Sequence, residues 1–233
     1  MRLTFYGSCF QQVVREQCNV FDRALTKEDA LSVRELVLCD FGFRREDIET
    51  LYLFSNLTSL CIDIIEPDAS FWNHFPKLRE LYWCTGGDKV DFSVFSQMRD
   101  LARLSVSGGD LSSMELVGLE SLGQLSHLER LTLHEFGFVD LAPLGNMPQL
   151  KRLSVLYADS VKNIEAIGRL QRLEYLHLAD LCVDNLDFLD LLPDRMQLEM
   201  SEIRLCGRKE ADAKKWRRFR KSNVEEIHAA ALE

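Results

Sequence analysis

One apolar pattern recurs along most of the chain and limits its fold more than any other feature. Seven copies have an apolar residue, two variable residues, a leucine, one variable residue and a further apolar residue, and an eighth, degenerate copy has Arg195 at its first position. The central leucines are Leu36, Leu60, Leu81, Leu104, Leu131, Leu153, Leu176 and Leu198, with spacings of 21 to 27 residues. A rhythm in this range predicts stacked copies of one supersecondary unit.

The alternation within each copy predicts a half-buried strand whose leucines point inward. One coil cannot bury these leucines alone, so neighbouring coils should stack and their strands should form a continuous parallel sheet. Between strands, apolar residues such as Val139, Leu141, Leu144 and Met147 predict short helices or 3-10 turns. We therefore expect an α/β solenoid with about eight strands on its concave side and these turns on its convex side.

The pattern resembles the short leucine-rich repeat of about 22 residues, as in bacterial internalins and protein-phosphatase regulatory subunits. The resemblance covers about residues 33–203 and implies a curved solenoid that binds other proteins. That family usually has asparagine three residues after the last strand leucine. Here the position holds Phe41, Ile65, Gly86, Gly109, Phe136, Ala158, Leu181 and Ile203. The asparagine ladder is absent, and 41–43 and 136–138 (both Phe-Gly-Phe) suggest aromatic packing in its place.

We expect the chain to divide into three parts: a cap or divergent first repeat over 1–32, repeats over 33–203, and a capping helix with a tail over 204–233. Thr26 precedes Asp29 by three residues, which is typical of a helix N-terminus. Residues 208–220 lack glycine and proline, and we expect a helix whose Trp216 and Phe219 cover the last coil.

The net charge of −9 argues against nucleic acid as the main ligand, because phosphate binding needs a broad basic surface. Residues 208–221 are the exception, with eight basic and two acidic side chains. A nucleic-acid, membrane or nuclear-import patch is therefore the alternative to a solvated cap helix there.

No apolar stretch is long enough to span a membrane, and the first residues lack the apolar core of a signal peptide. The seven cysteines include no Cys-x-x-Cys pair. We therefore expect reduced thiols and a cytoplasmic protein, with host-directed export by a non-classical route as the alternative.

The variable strand residues should face the concave side, where they form columns. One column places Arg103, Arg130 and Arg152 in consecutive coils of an acidic protein. Beside these arginines we expect His134, Tyr157, Tyr175 and His177. Arginine and tyrosine are favoured interface residues, so this face is predicted to bind a protein partner through an acidic segment.

Catalytic signals are weak. His134 precedes Glu135, but neighbours on a strand should point to opposite faces. His177 can lie beside Ser154 on the next strand, without a third group to orient it. The sequence also lacks a phosphate-binding loop, and we expect no enzyme activity.

Metal binding is a second possibility that the pattern does not favour. Cys39, Cys61 and Cys84 are about one coil apart. Cys61, however, directly follows its central leucine, whereas Cys39 and Cys84 lie three residues after theirs. We expect isolated thiols, no metal and no cofactor.

The sequence thus predicts a non-catalytic protein-binding scaffold. A more specific form of this prediction is an inhibitor or regulator of the partner. The alternatives are an enzyme or effector with a site in the longest repeat, at 105–120, and the binding domain of a longer polypeptide. The sequence does not indicate the oligomeric state or the identity of the partner.

Overall fold

Eight parallel strands, one from each repeat, form a single sheet in chain order. The computed structural model describes residues 2–39, 45–65, 67–109, 114–193 and 196–206. The strands of this sheet are β1 Glu35–Val37, β2 Ser59–Asp63, β3 Glu80–Cys84, β5 Arg103–Ser107, β7 Arg130–Asp140, β8 Arg152–Lys162, β9 Tyr175–Val183 and β10 Gln197–Leu205. Strands β4 Lys89–Asp91 and β6 Glu115–Val117 pair in a separate parallel sheet.

The central leucines of the repeats lie opposite one another across the sheet. Leu36 pairs with Leu60, and the same register continues through every strand to Leu198. All eight of these leucines are at most 3% exposed. The predicted parallel sheet, with leucines inward and variable residues outward, is confirmed.

The return segments form short helices, as predicted. Two early coils use the helices α3 Ile48–Leu51, which follows a 3-10 turn at Arg45–Asp47, and α4 Ala69–Trp72. The later coils use 3-10 helices at Phe92–Phe95, Leu119–Gln124, Ala142–Asn146, Ile164–Arg169 and Asp187–Leu191. The extra length of the 105–120 repeat includes β6, which pairs with β4. None of the helices in the described part has the length and apolar character needed to cross a membrane.

Four successive strands bend at one equivalent residue. Glu135, Tyr157, Asp180 and Glu202, each four residues after a central leucine, have φ between 46° and 60°. Each such non-glycine residue costs about 1 kcal/mol. The bend turns the next side chain inward, so Phe136, Ala158, Leu181 and Ile203 are buried at the position where short leucine-rich repeats usually have asparagine. Aromatic packing is thus found at Phe136, whereas Phe138 is 44% exposed and 41–43 lies outside the described residues.

The N-terminal residues pack on the first coil. The helix α1 Ser8–Cys18 contacts β1, and its Phe10 ring lies 5.8 Å from the Phe54 ring. The helix α2 Lys27–Ser32 begins with a capping box between Thr26 and Asp29. The buried Asp47 carboxylate accepts 2.8 Å hydrogen bonds from the backbone N–H groups of Tyr6 and Gly7. This carboxylate therefore anchors the N-terminal segment, a role that the sequence pattern did not indicate.

The expectation of reduced, isolated thiols is wrong for four cysteines. Disulfides join Cys39 to Cys61 and Cys182 to Cys206, with Cα–Cα distances of 5.9 and 6.1 Å. In both pairs the coils bring together residues 22 or 24 positions apart in the chain. The helix predicted over 208–220 lies outside the described residues.

Two glycines offer a matched test of coil stacking. A Cβ added to Gly108 would overlap the Glu135 carbonyl oxygen and lie 3.0 Å from carbons of the Phe136 ring, whereas a Cβ at Gly86 meets nothing within 4 Å. Gly108→Ala should lower the free energy of unfolding by about 1–3 kcal/mol because of overpacking. Gly86→Ala should change it by less than about 0.5 kcal/mol. Urea unfolding followed by circular dichroism checks both, and equal stabilities would contradict this stacking.

Candidate functional site on the concave sheet face

The parallel register places the predicted arginines side by side. Arg103 pairs with Arg130, Arg130 with Arg152, and Arg152 with Tyr175. Adjacent strands lie about 4.8 Å apart, so these four residues form one continuous row. Arg130 and Arg152 are exposed, while Arg103 and Tyr175 are partly buried.

The three arginines differ in their electrostatic surroundings. Arg103 Nη1 lies 2.7 Å from Glu80 Oε1, so its charge is balanced by the preceding coil. No acidic side chain in the described ranges lies within ion-pair distance of Arg130 or Arg152. The Arg152 guanidinium lies over the Tyr175 ring, 5.4 Å from its centroid. The arginines of this row that lack a close ion pair in the described chain are thus Arg130 and Arg152.

Tyr175 ends this basic stretch. Its hydroxyl donates a 2.6 Å hydrogen bond to Glu199 Oε2, and Glu199 Oε1 accepts another from Gln197. Burial, followed by the hydrogen bond to the Glu199 carboxylate, raises the pKa of Tyr175 to about 12. The phenol is therefore a fixed, neutral ring at neutral pH, and an acidic group lies directly beyond it.

A second cluster surrounds His134. Ser107 Oγ lies 3.3 Å from His134 Nδ1 and donates a 3.0 Å hydrogen bond to Glu135 Oε2. The Tyr157 ring contacts His134 edge-on at 5.1 Å between centroids. The expectation that Glu135 points away from His134 is wrong. Its left-handed backbone ends the strand alternation and brings Oε2 within 3.4 Å of His134 Nδ1.

This cluster lacks the geometry of a nucleophile activated by a base. In such an arrangement the acid orients one ring nitrogen and the nucleophile bonds to the other. Here Ser107 and Glu135 both approach Nδ1. His177 aligns with Ser154, as expected, but no hydrogen bond joins their side chains within the described chain.

The structure adds Tyr82 to the face, where its side chain is 42% exposed. It pairs in register with Cys61 and Ser105, in the column adjacent to the arginines. Tyr157 is likewise 53% exposed, so aromatic surface is available at two places on the sheet. Strand alternation predicts that Tyr82 faces outward, but Tyr82 lies one coil before the arginines on which the interface prediction rests.

A group of thiols and a carboxylate lies toward the first coils. One ligand atom each from Cys39, Asp63 and Cys84 lies within 4.8 Å of the others. Asp63 and Cys84 are register partners, and Cys61, two residues before Asp63, is bonded to Cys39. The earlier position of Cys61 within its strand therefore does not keep it away from Cys39, because diagonal neighbours on one sheet face are within reach.

Comparisons with known proteins identify the fold. No protein-family model and no curated protein matches the sequence. Among solved structures, internalin C2 from Listeria monocytogenes has a TM-score of 0.68 and 18% identity, over 97% of this chain and 94% of the internalin. An internalin F from the same species has a TM-score of 0.53 and 18% identity, over 98% and 78%. The protein has the leucine-rich-repeat fold, as its sequence predicted.

A third solved structure is the plant peptide hormone receptor RGFR1 in complex with RGF2. It has a TM-score of 0.51 and 17% identity, over 68% of this chain and 26% of the receptor chain. Sequence identities of this size show that the fold is shared and nothing more.

The Tyr175–Glu199 pair predicts an alkaline transition. The folded-state pKa lies above the ordinary value of 10.0, so the stability from this group is complete below pH 10 and falls as the pH rises toward 12. Glu199→Gln should lower the pKa of Tyr175, while burial keeps it above 10. The ¹³C resonances of labelled tyrosine report this titration. The control is Glu174→Gln, which removes the same negative charge from an exposed residue in the coil of Tyr175. It should leave the pKa of Tyr175 unchanged.

Proposed function

We propose that the protein is a binding scaffold whose concave face holds an acidic segment of a protein partner. The contact surface, called the basic patch, comprises Arg130 and Arg152 with His134, Tyr157, Tyr175 and His177. The observation that carries the proposal is the pair of arginines in adjacent register positions, exposed and without ion pairs in the described chain. Arg103 contributes less, because Glu80 already neutralises it.

Like charges directly opposite each other on neighbouring strands destabilise a sheet. The register makes Arg130 and Arg152 such a pair. A carboxylate placed between them would remove this repulsion and accept charge-assisted hydrogen bonds from both guanidinium groups. An acidic side chain of a partner therefore gains more binding free energy here than at an isolated surface arginine.

The surrounding rings supply contact area and direction. Tyr175 is held by Glu199, and Arg152 is held over Tyr175, so part of this surface is ordered before a partner arrives. Preorganised side chains lose less entropy on binding than mobile ones. The acidic residues Glu80 and Glu199 lie on either side of the arginines and would repel an acidic segment placed elsewhere along the row.

The fold comparisons support binding of a protein or peptide in general, since one solved structure of this fold is a receptor in complex with its peptide hormone. A partner held on the patch would have its acidic segment covered. Inhibition or regulation of that partner is the consequence we propose.

Charge reversal tests the patch. The double variant Arg130→Glu/Arg152→Glu should weaken partner binding by about 2 kcal/mol, or about 30-fold, because two anchors are replaced by repulsive groups. The immobilised chain is used to capture proteins, which are quantified by mass spectrometry. The leading partner is then purified and titrated by calorimetry at two salt concentrations.

The matched control is Arg169→Glu/Arg172→Glu, which makes the same charge change at exposed residues outside the sheet. This variant should bind like the wild type, and wild-type affinity should fall as salt rises. Unchanged affinity in the Arg130/Arg152 variant, with folding verified by circular dichroism, would exclude the basic patch as the binding surface.

A further inference from the structure

We propose that Cys39, Cys61, Asp63 and Cys84 form a zinc site when the Cys39–Cys61 pair is reduced. The site lies on β2, β3 and the residues after β1, whereas the basic patch lies on β7, β8 and β9. It is therefore independent of the proposed partner surface.

Three of the four donor atoms are already close to the required positions. Zinc–sulfur bonds of about 2.3 Å in a tetrahedral site separate the ligand atoms by about 3.8 Å. One atom each from Cys39, Asp63 and Cys84 lies within 4.8 Å of the others, so shifts of roughly 1 Å complete that part of the site. Side-chain rotation can supply such shifts without moving the strands.

Cys61 supplies the fourth ligand. Its sulfur reaches Cys39 in the structure, and Cys39 also lies beside Asp63 and Cys84. Two molecules of a small thiol reduce the disulfide, releasing both cysteine thiols and leaving the reductant as its own disulfide. Zinc then binds three thiolates and one carboxylate, and the three cysteine protons pass to solvent.

The chemistry of the donors selects the metal. Thiolates favour zinc over magnesium and calcium, which prefer oxygen ligands in larger numbers. The four ligands come from three successive coils, so a bound ion would cross-link them. That cross-link would matter most for β1, which has only three residues in the sheet.

The test uses the full chain, reduced with a phosphine and desalted without oxygen. Zinc binding is measured by competition with a chromophoric chelator, and cobalt(II) provides an absorbance that reports sulfur ligands. We expect one ion per chain. Cys84→Ser and Asp63→Asn should each weaken binding at least about 10-fold. Cys84→Ser should also reduce the thiolate-to-cobalt absorbance per bound ion by about one third.

Three controls isolate the site. Cys9→Ser and Cys18→Ser, on α1, should bind zinc like the wild type. The Cys182→Ser/Cys206→Ser variant should also bind normally, which excludes the second disulfide as the source. The unreduced chain should bind at least about 10-fold more weakly, because two ligands remain in the disulfide.

The proposal fails if the reduced chain binds no stoichiometric zinc. It also fails if the folded Asp63→Asn variant and the Cys84→Ser variant both bind as tightly as the wild type, or if the second disulfide accounts for the binding. Circular dichroism of each variant separates loss of a ligand from loss of the fold.

Discussion

The strand leucines are buried by the packing of each coil against its neighbours. Burying a leucine contributes about 1.5–3 kcal/mol, and the row of paired leucines from Leu36 to Leu198 extends this contribution through every repeat. Because the interior is shared, the register of neighbouring strands is fixed: a slip of one residue would turn the leucines outward. The bends at Glu135 and Tyr157, although locally unfavourable, persist because this stacking holds them.

The same register organises the chemistry of the outer face. Residues at equivalent positions of successive coils become neighbours about 4.8 Å apart, whatever their distance along the chain. Arg130 and Arg152 meet in this way on central strands, and Asp63 and Cys84 meet near the first coils. One sheet can therefore carry two separate sites of opposite character, a basic surface and a cluster of thiols with a carboxylate.

Repeat spacing was sufficient to predict the strands, their pairing and the arginine row, because these follow from leucine burial alone. It could not predict that Glu80 neutralises Arg103, since this depends on side-chain conformation. It missed the contact of Glu135 with His134 because a glutamate in left-handed conformation leaves no sequence signal. It also missed the Cys39–Cys61 bond, because a column pattern omits diagonal neighbours, and the anchoring role of Asp47, which lies outside the repeated positions.

The two outer strands of the sheet differ in length. At one end β1 offers three residues of main chain, and at the other β10 offers nine. Amide and carbonyl groups along a sheet margin can template the addition of a foreign strand, and a longer margin forms more hydrogen bonds with it. Within the described residues, unwanted self-association by strand addition is thus favoured at the β10 margin.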